Sequence, residues 1–343
     1  MGASDSVTKT KRIQSQVSFH NSASPIVSII LAAYNAEAFM TRAVESALIQ
    51  SGPPLELIIV DDASTDGTFA LASHFAQSDT RVRPIRLETN SGPAAARNAA
   101  IDVARGAWIA VLDADDAMAP GRIAALVDFA QRESLDIVAD NFWFWDLRGQ
   151  TAIQTAFECT SQFKIVDLHE YLSNTQASFD STDWGLLKPM FRREFLQRKK
   201  LKYPATRHGE DFMLLMACLL DNAKFGLLGE PGYFYTTRAS GFSRTFVDYG
   251  GMLAQCETLL RHDAIKRDRS LARLVRSRAI SVQSLAAHHH CYGMLDGHAY
   301  GQIALELCWN QHLWRAVLRS ADLRHELLGV LQRKLQKTLS ARL

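Results

Sequence analysis

Between residues 26 and 141 the chain repeats one unit, a short apolar run followed by a segment with helical apolar spacing. Ile26 to Leu31, Leu55 to Val60, Arg81 to Leu87, Trp108 to Leu112 and Asp136 to Ala139 read as strands. Ala36 to Gln50, Thr68 to Ser78, Pro93 to about Gly106 and Pro120 to Glu133 read as the helices between them. Pro93 and Gly106 stand where a helix begins and ends. The strands are apolar nearly throughout rather than alternating, the pattern of strands buried on both faces. Successive parallel strands need crossover connections, so the intervening helices must cover the sheet. The expected fold class is therefore α/β: a Rossmann-like, mostly parallel sheet with helices on both faces.

After Phe142 the rhythm breaks. Residues 142–250 carry many aromatics, two strand-like pieces (Phe225 to Leu228, Tyr233 to Thr236) and one strong helix from about Glu210 to Asp221. Residues 251–343 read as helices throughout, with Leu253, Leu259, Leu260, Leu271, Leu274 and Val275 in helical steps. The expected organisation is a flexible leader (1–24), one half-domain (25–141), a second half-domain (142–250) and a helical extension (251–343). That extension holds 14 lysines and arginines against 7 acids, whereas the first 250 residues hold 24 against 29. A basic, helix-patterned tail on a mildly acidic body suits contact with an anionic surface such as a cytoplasmic leaflet, or simply a solvated helical face. The five cysteines are scattered without framework spacing, which suits a reducing compartment. No apolar run approaches the length of a membrane helix, so the expected location is cytoplasmic, with peripheral attachment at the inner face of the membrane.

Chemistry-bearing residues gather at the ends of these strands, where open α/β sheets bind ligands. Asp113-Ala-Asp115-Asp116 puts three carboxylates within four residues after the fourth strand. Like charges this close repel unless donors or a cation offset them, and a hard divalent ion such as Mg²⁺ or Mn²⁺ suits such ligands and a diphosphate. The same acids would also serve as a solvated loop that caps the next helix. Ala32-Ala33-Tyr34-Asn35 ends the first strand, where Tyr34 offers a face for a flat base and Asn35 a helix cap. Asp61 and Asp62 end the second, and Asp62 reads as a ligand contact while Asp66-Gly67 reads as a turn and cap. Asn90 to Asn98 sets a small-residue turn at a helix N-terminus, with Arg97 facing the crevice or making a surface ion pair. Glu210 and Asp211 open the helix that follows His208-Gly209; one satisfies the helix dipole and the other is free to act as a general base. The loop from Arg238 to Arg244 is placed either to close on phosphates or to lie on the surface. His288-His289-His290 resembles a metal tract, yet consecutive helical residues point in different directions.

Tyr34-Asn35, Asp61-Asp62-x-Ser64-x-Asp66, Asn90-x-Gly92 with Ala96-Arg97-Asn98, Asp113-x-Asp115-Asp116 and Gly209-Glu210-Asp211 occur in this order. Together they resemble the family 2 inverting glycosyltransferases of the GT-A fold over residues 26 to about 245. The stretch Lys188-Pro-Met-Phe-Arg-Arg-Glu-Phe195 is similar to the bacterial succinoglycan-type exopolysaccharide enzymes. The resemblance implies a metal-dependent transferase that moves a sugar from a UDP-sugar, by default UDP-glucose, onto a lipid-linked oligosaccharide with a β-linkage. It implies that Ala32, Tyr34, Asp62, Arg97 and Asp113 bind the nucleotide-sugar and that Asp115, with Asp113, holds the metal. Asp211 is then the catalytic base, and Glu210, Trp184 and Arg238 lie on the acceptor side. Residues 25–141 become the nucleotide-sugar half and 142–250 the acceptor half. Where the family commonly has proline before Tyr-Asn, this chain has Ala33.

A sugar-nucleotide-binding subunit without chemistry, docked in a membrane-associated assembly, is the alternative. A dinucleotide-dependent oxidoreductase is disfavoured because no G-x-G-x-x-G follows the first strand. A nucleic-acid partner is disfavoured because few aromatics interleave with the basic residues of the tail.

Overall fold

The computed structural model describes residues 25–146, 150–159, 161–176, 183–237 and 247–296. The expected alternation of strands and helices is present. Strands β1 (Val27–Ala33), β2 (Leu55–Asp61), β3 (Val82–Arg86) and β4 (Trp108–Asp113) alternate with helices α1 (Met40–Leu48), α2 (Thr68–Ser78) and α3 (Pro93–Val103). All four strands are parallel, in the spatial order β3-β2-β1-β4. The sides of β1, β2 and β4 are buried almost without interruption, as their unbroken apolar runs require. The register sets Ala33 opposite Asp61 and Ala32 opposite Asp113, so three strands end at one level and their tip residues are neighbours.

Beyond β4 come the two-residue β5 (Ala117–Met118), α4 (Arg122–Arg132) and β6 (Ile137–Asp146), which runs on through Phe142 where the sequence pattern breaks. After β7 (Thr151–Thr155), β8 (Phe163–Val166), α5 (Leu168–Asn174) and a 3₁₀ turn at Trp184–Leu186, the chain enters β9 (Met190–Arg192). This three-residue strand is wedged antiparallel between β4 and β6. Helices α6 (Arg193–Lys199) and α7 (Glu210–Leu220) lead to β10 (Phe225–Thr237), parallel to β6. The two strand-like pieces of the sequence are this one strand, interrupted by register shifts around Pro231, which has no N–H to give a ladder.

Helices α8 (Tyr249–Arg261), α9 (Asp263–Arg267) and α10 (Arg269–Asp296) close the described chain. Leu259, Ile265, Leu271 and Val275 share one apolar core with the sheet. Helix α10 packs on α8 and α5, and its Arg278 is buried.

Candidate active site

The antiparallel insertion of β9 builds the centre of the site. Its register pairs Ala110 with Met190, and two further steps bring Lys188 beside the C-terminal tip of β4. There the Lys188 ammonium lies 2.8 Å from Asp113 Oδ2 and 3.1 Å from Asp211 Oδ2. Arg97, projecting from α3, closes the other side: its guanidinium donates to Asp113 Oδ1 and to Glu210 Oε1, both at 2.7 Å, and reaches Asp211 Oδ1 at 3.4 Å. Three acids from β4 and α7 thus meet two cations from α3 and the β9 lead-in, leaving one negative charge in excess. Burial alone would lower the Lys188 ammonium, but the carboxylates of Asp113 and Asp211 outweigh it and push it well above the ordinary lysine range. Burial would raise Asp113, and the adjacent Lys188 and Arg97 charges instead hold it below the ordinary carboxylate range. Glu210 moves the other way, raised by burial and by its neighbour Asp211 against the pull of Arg97. Carboxyls driven apart in this manner can divide acid and base roles between them.

Arg97 is therefore neither a surface residue nor open to solvent; its pair with Glu210 is buried and its pair with Asp113 partly so. Its guanidinium also lies 5.3 Å from the centroid of the Tyr203 ring. Asp211 Oδ1 is buried and accepts no hydrogen bond, its nearest cation being Arg97 at 3.4 Å.

The acids after β4 divide their work. Asp116 is buried and accepts the Tyr233 hydroxyl and the Thr236 N–H, each at 2.7 Å. The Tyr233 hydroxyl in turn accepts the Asp113 N–H at 3.1 Å. Burial, with Asp116 and Asp113 nearby, raises the Tyr233 phenol well above its usual range, so it remains a donor. Asp116 thus ties the turn to β10. Asp115 is half-buried, and its carbonyl accepts from Arg42 at 3.0 Å. Beneath the turn, Arg122 forms a buried pair with Asp140, donates to the Lys188 carbonyl at 2.6 Å and faces the Tyr233 ring.

At the tip of β2, the oxygens of Asp62 accept the N–H groups of Ser91 and Gly92 at 2.8 and 2.7 Å. They fix the loop that opens α3, and each oxygen keeps capacity for a further donor. Gly92 has φ 86° and ψ 168°, a conformation essentially reserved for glycine. Tyr34 is 47% exposed at the tip of β1, and Ala32 is half-buried near the end of the same strand. Asn35 does not cap α1, which starts five residues later; its side chain accepts the Thr65 N–H at 2.9 Å and joins the two strand-end loops. Asp66 accepts the Thr68 N–H at the start of α2, as its turn reading requires.

Trp184 is buried, its ring 5.5 Å from that of Phe157 and under the Lys164 ammonium at 4.9 Å. It packs into the wall rather than presenting its ring to an acceptor. Arg238 and its loop lie outside the described residues. His289 Nδ1 is 2.7 Å from the Tyr249 hydroxyl, and among the described residues no three His, Cys, Asp or Glu side chains are grouped to hold a metal. Asp113, expected as a metal ligand alongside Asp115, has both oxygens engaged by Lys188 and Arg97. A divalent ion here would rest on Asp115 with water and phosphate oxygens, the sparse protein ligation that Mg²⁺ accepts.

Lys188 is the residue whose role the sequence pattern did not reveal. Its signal was a lysine set within Leu186-Leu-Lys-Pro-Met-Phe191, where burial of the flanks demands an acidic partner.

The sequence model for Glycosyl transferase family 2 matches residues 28–185. The succinoglycan biosynthesis protein ExoO of Rhizobium meliloti is 36% identical over 244 residues, covering 70% of this chain and 70% of that protein. ExoU of the same organism is 34% identical over 221 residues, 63% of this chain and 64% of that protein. Among solved structures, S. aureus TarS 1-349 in complex with UDP-GlcNAc aligns with a TM-score of 0.60 at 22% identity, over 75% of this chain and 79% of that one. That likeness speaks for the fold, an open GT-A sheet. The chain belongs to glycosyl transferase family 2. It is a glycosyltransferase; of the strand-tip cluster, Arg97 and Asp113 fall within the matched residues, whereas Lys188, Glu210 and Asp211 lie beyond them.

Proposed function

We propose that the chain transfers a hexose from a UDP-sugar, by default UDP-glucose, to a hydroxyl of a growing lipid-linked exopolysaccharide oligosaccharide, with inversion at the anomeric carbon. The succinoglycan relatives support the pathway class, and the UDP-GlcNAc bound by TarS supports the donor class. One observation carries the mechanism: the Asp211 carboxylate meets Asp113 across Lys188 at the strand tips, with Oδ1 held only by the longer 3.4 Å approach of Arg97.

In this reading the acceptor hydroxyl gives its proton to Asp211. Its oxygen forms the new bond to the anomeric carbon from the face opposite the diphosphate, and the bond to the departing UDP breaks. An α-linked donor gives a β-glycoside. Lys188 and Arg97 hold Asp211 at a set distance from Asp113 and keep its carboxylate oriented. Tyr34 and Asp62 flank the nucleotide, with Tyr34 giving a stacking face and Asp62 accepting from a base N–H. Asp115 would hold Mg²⁺ or Mn²⁺, which offsets charge on the leaving diphosphate.

Asp211→Asn should reduce transfer about 10²- to 10⁴-fold, the range of general-base contributions, while calorimetry finds UDP binding nearly unchanged. Turnover within a few-fold of the parent would refute the base assignment. Asp115→Ala should lose metal-stimulated UDP binding; full turnover of the unaltered protein in excess EDTA would remove the metal from the mechanism.

Arg269, Arg273 and Arg276 line one exposed face of α10, next to exposed Lys266 and Arg267. This stripe supports peripheral contact with anionic lipid headgroups. Among the described residues, no helix is long and apolar enough to cross a membrane.

A further inference from the structure

We propose that helices α8 and α10 set the position of the turn bearing Asp211, with Gln255 and Arg278 as positioning residues for the transfer step. The inference rests on the reading of Asp211 as the base. Both residues lie beyond the segment matched by the family model, which ends at residue 185.

Two contacts come from α8. Gln255, 5% exposed, donates from Nε2 to the His208 carbonyl at 2.6 Å. The backbone N–H of Asp248, at the start of the same helix, donates to His208 Nδ1 at 3.2 Å. An accepting Nδ1 requires the neutral ring, which burial of His208 favours by lowering its pKa despite the nearby Asp248 charge. His208 is followed by Gly209, at φ 76°, and then by Glu210 and Asp211. A Cβ on Gly209 would lie 2.5 Å from Gln255 Oε1, so the end of the Gln255 side chain rests directly on the turn.

Arg278 supplies the contacts of α10. Its side chain is 3% exposed, and Nη1 lies 2.8 Å from Asp183 Oδ2 while also donating to the Thr175 carbonyl. The guanidinium carbon sits 4.0 Å from the centroid of the Phe212 ring, the residue directly after Asp211. Asp183 Oδ1 accepts the Gly185 N–H at 2.8 Å and so starts the 3₁₀ turn that leads into Lys188. One guanidinium therefore braces both the segment that delivers Asp211 and the segment that delivers Lys188. Their 3.1 Å separation is the distance that the proposed chemistry uses.

A buried ion pair is a poor device for stability alone, because neutral replacements of matched size are often tolerated. That separates a positioning role from a merely structural one. The pair is neutralised in Arg278→Met/Asp183→Asn, where asparagine keeps an acceptor for Gly185; the α8 contact is removed separately in Gln255→Leu. Full-length variants are assayed for UDP release from UDP-glucose with extracted bacterial lipid-linked oligosaccharides, and for UDP binding by calorimetry. The expected result is a cooperative unfolding transition near that of the parent, donor KM and UDP affinity within about twofold, and kcat lower by about 10- to 100-fold, as a misplacement near 1 Å produces. If Asp211→Asn is inactive while both folded variants keep kcat within twofold of the parent, the positioning role is overturned and the base assignment stands. If Asp211→Asn itself retains transfer, the base assignment fails and this inference fails with it.

Discussion

Lys188→Met is the most informative perturbation of the ion cluster. The parent sets three carboxylates (Asp113, Glu210, Asp211) against two cations, and the variant leaves three against Arg97 alone. Methionine fills nearly the volume of the lysine stem, so cavity formation is minor and the effect reports charge. Removing one partner of a fully buried pair destabilises by roughly 3–5 kcal/mol. The side chains of Asp113 and Asp211 retain 23% and 15% exposure, so water offsets part of the loss and the lower end, about 3 kcal/mol, is expected. At about 2 °C per kcal/mol for a chain of this size, Tm should drop by about 6 °C. Adding Asp211→Asn removes one of the carboxylates left behind, so the double variant should regain part of that loss. The two substitutions should deviate from additivity by at least about 0.5–1 kcal/mol. Thermal and urea unfolding followed by circular dichroism measure all three variants. Strict additivity, or Lys188→Met within about 0.5 kcal/mol of the parent, would refute the shared-cation arrangement.

Glu56 gives a pH test away from the site. Burial would raise its carboxyl, but hydrogen bonds from Arg83, Ser28 and Arg105 bring it down to about 2. A depressed folded value means its contribution is full above the unfolded value of about 4.3 and fades as pH falls toward 2. The Tm gap between parent and Glu56→Gln should accordingly be complete at pH 6 and close on acidification; a gap unchanged at the acid end would refute the assignment. Gly92→Ala meets no atom within 4 Å, so it isolates backbone strain and should destabilise by about 1–3 kcal/mol in urea unfolding; a neutral result would count against the glycine-only geometry. Arg273→Glu/Arg276→Glu should weaken sedimentation with anionic liposomes in a salt-dependent manner. Equal binding to zwitterionic vesicles would remove the headgroup reading.

Legibility followed the range of the interactions. The boundaries of β2 and α2 agree closely with their apolar patterns because burial on both faces writes itself into consecutive residues. Strand β9 left no such trace: three residues are too few for a period, and its place between β4 and β6 is a nonlocal pairing. The interruption at Pro231 made β10 look like two strands. At the site, Asp113, Asp115 and Asp211 were legible as acids at a strand end and a helix start. The engagement of Asp113 by two cations was not, since Asp113, Arg97 and Lys188 come from three separate elements.

The alternation of apolar runs and helical segments was enough, by itself, to determine a sheet covered on both faces with its acids gathered at one edge, because backbone pairing and burial act through neighbouring residues. Tertiary structure alone decided which charges meet. The antiparallel direction of β9 carries Lys188 to Asp113, and the packing of α8 and α10 against Gly209 and Phe212 fixes how the Asp211 turn is held. Such contacts join residues tens of positions apart, and only the folded chain brings them within the few ångströms over which ion pairs and hydrogen bonds act.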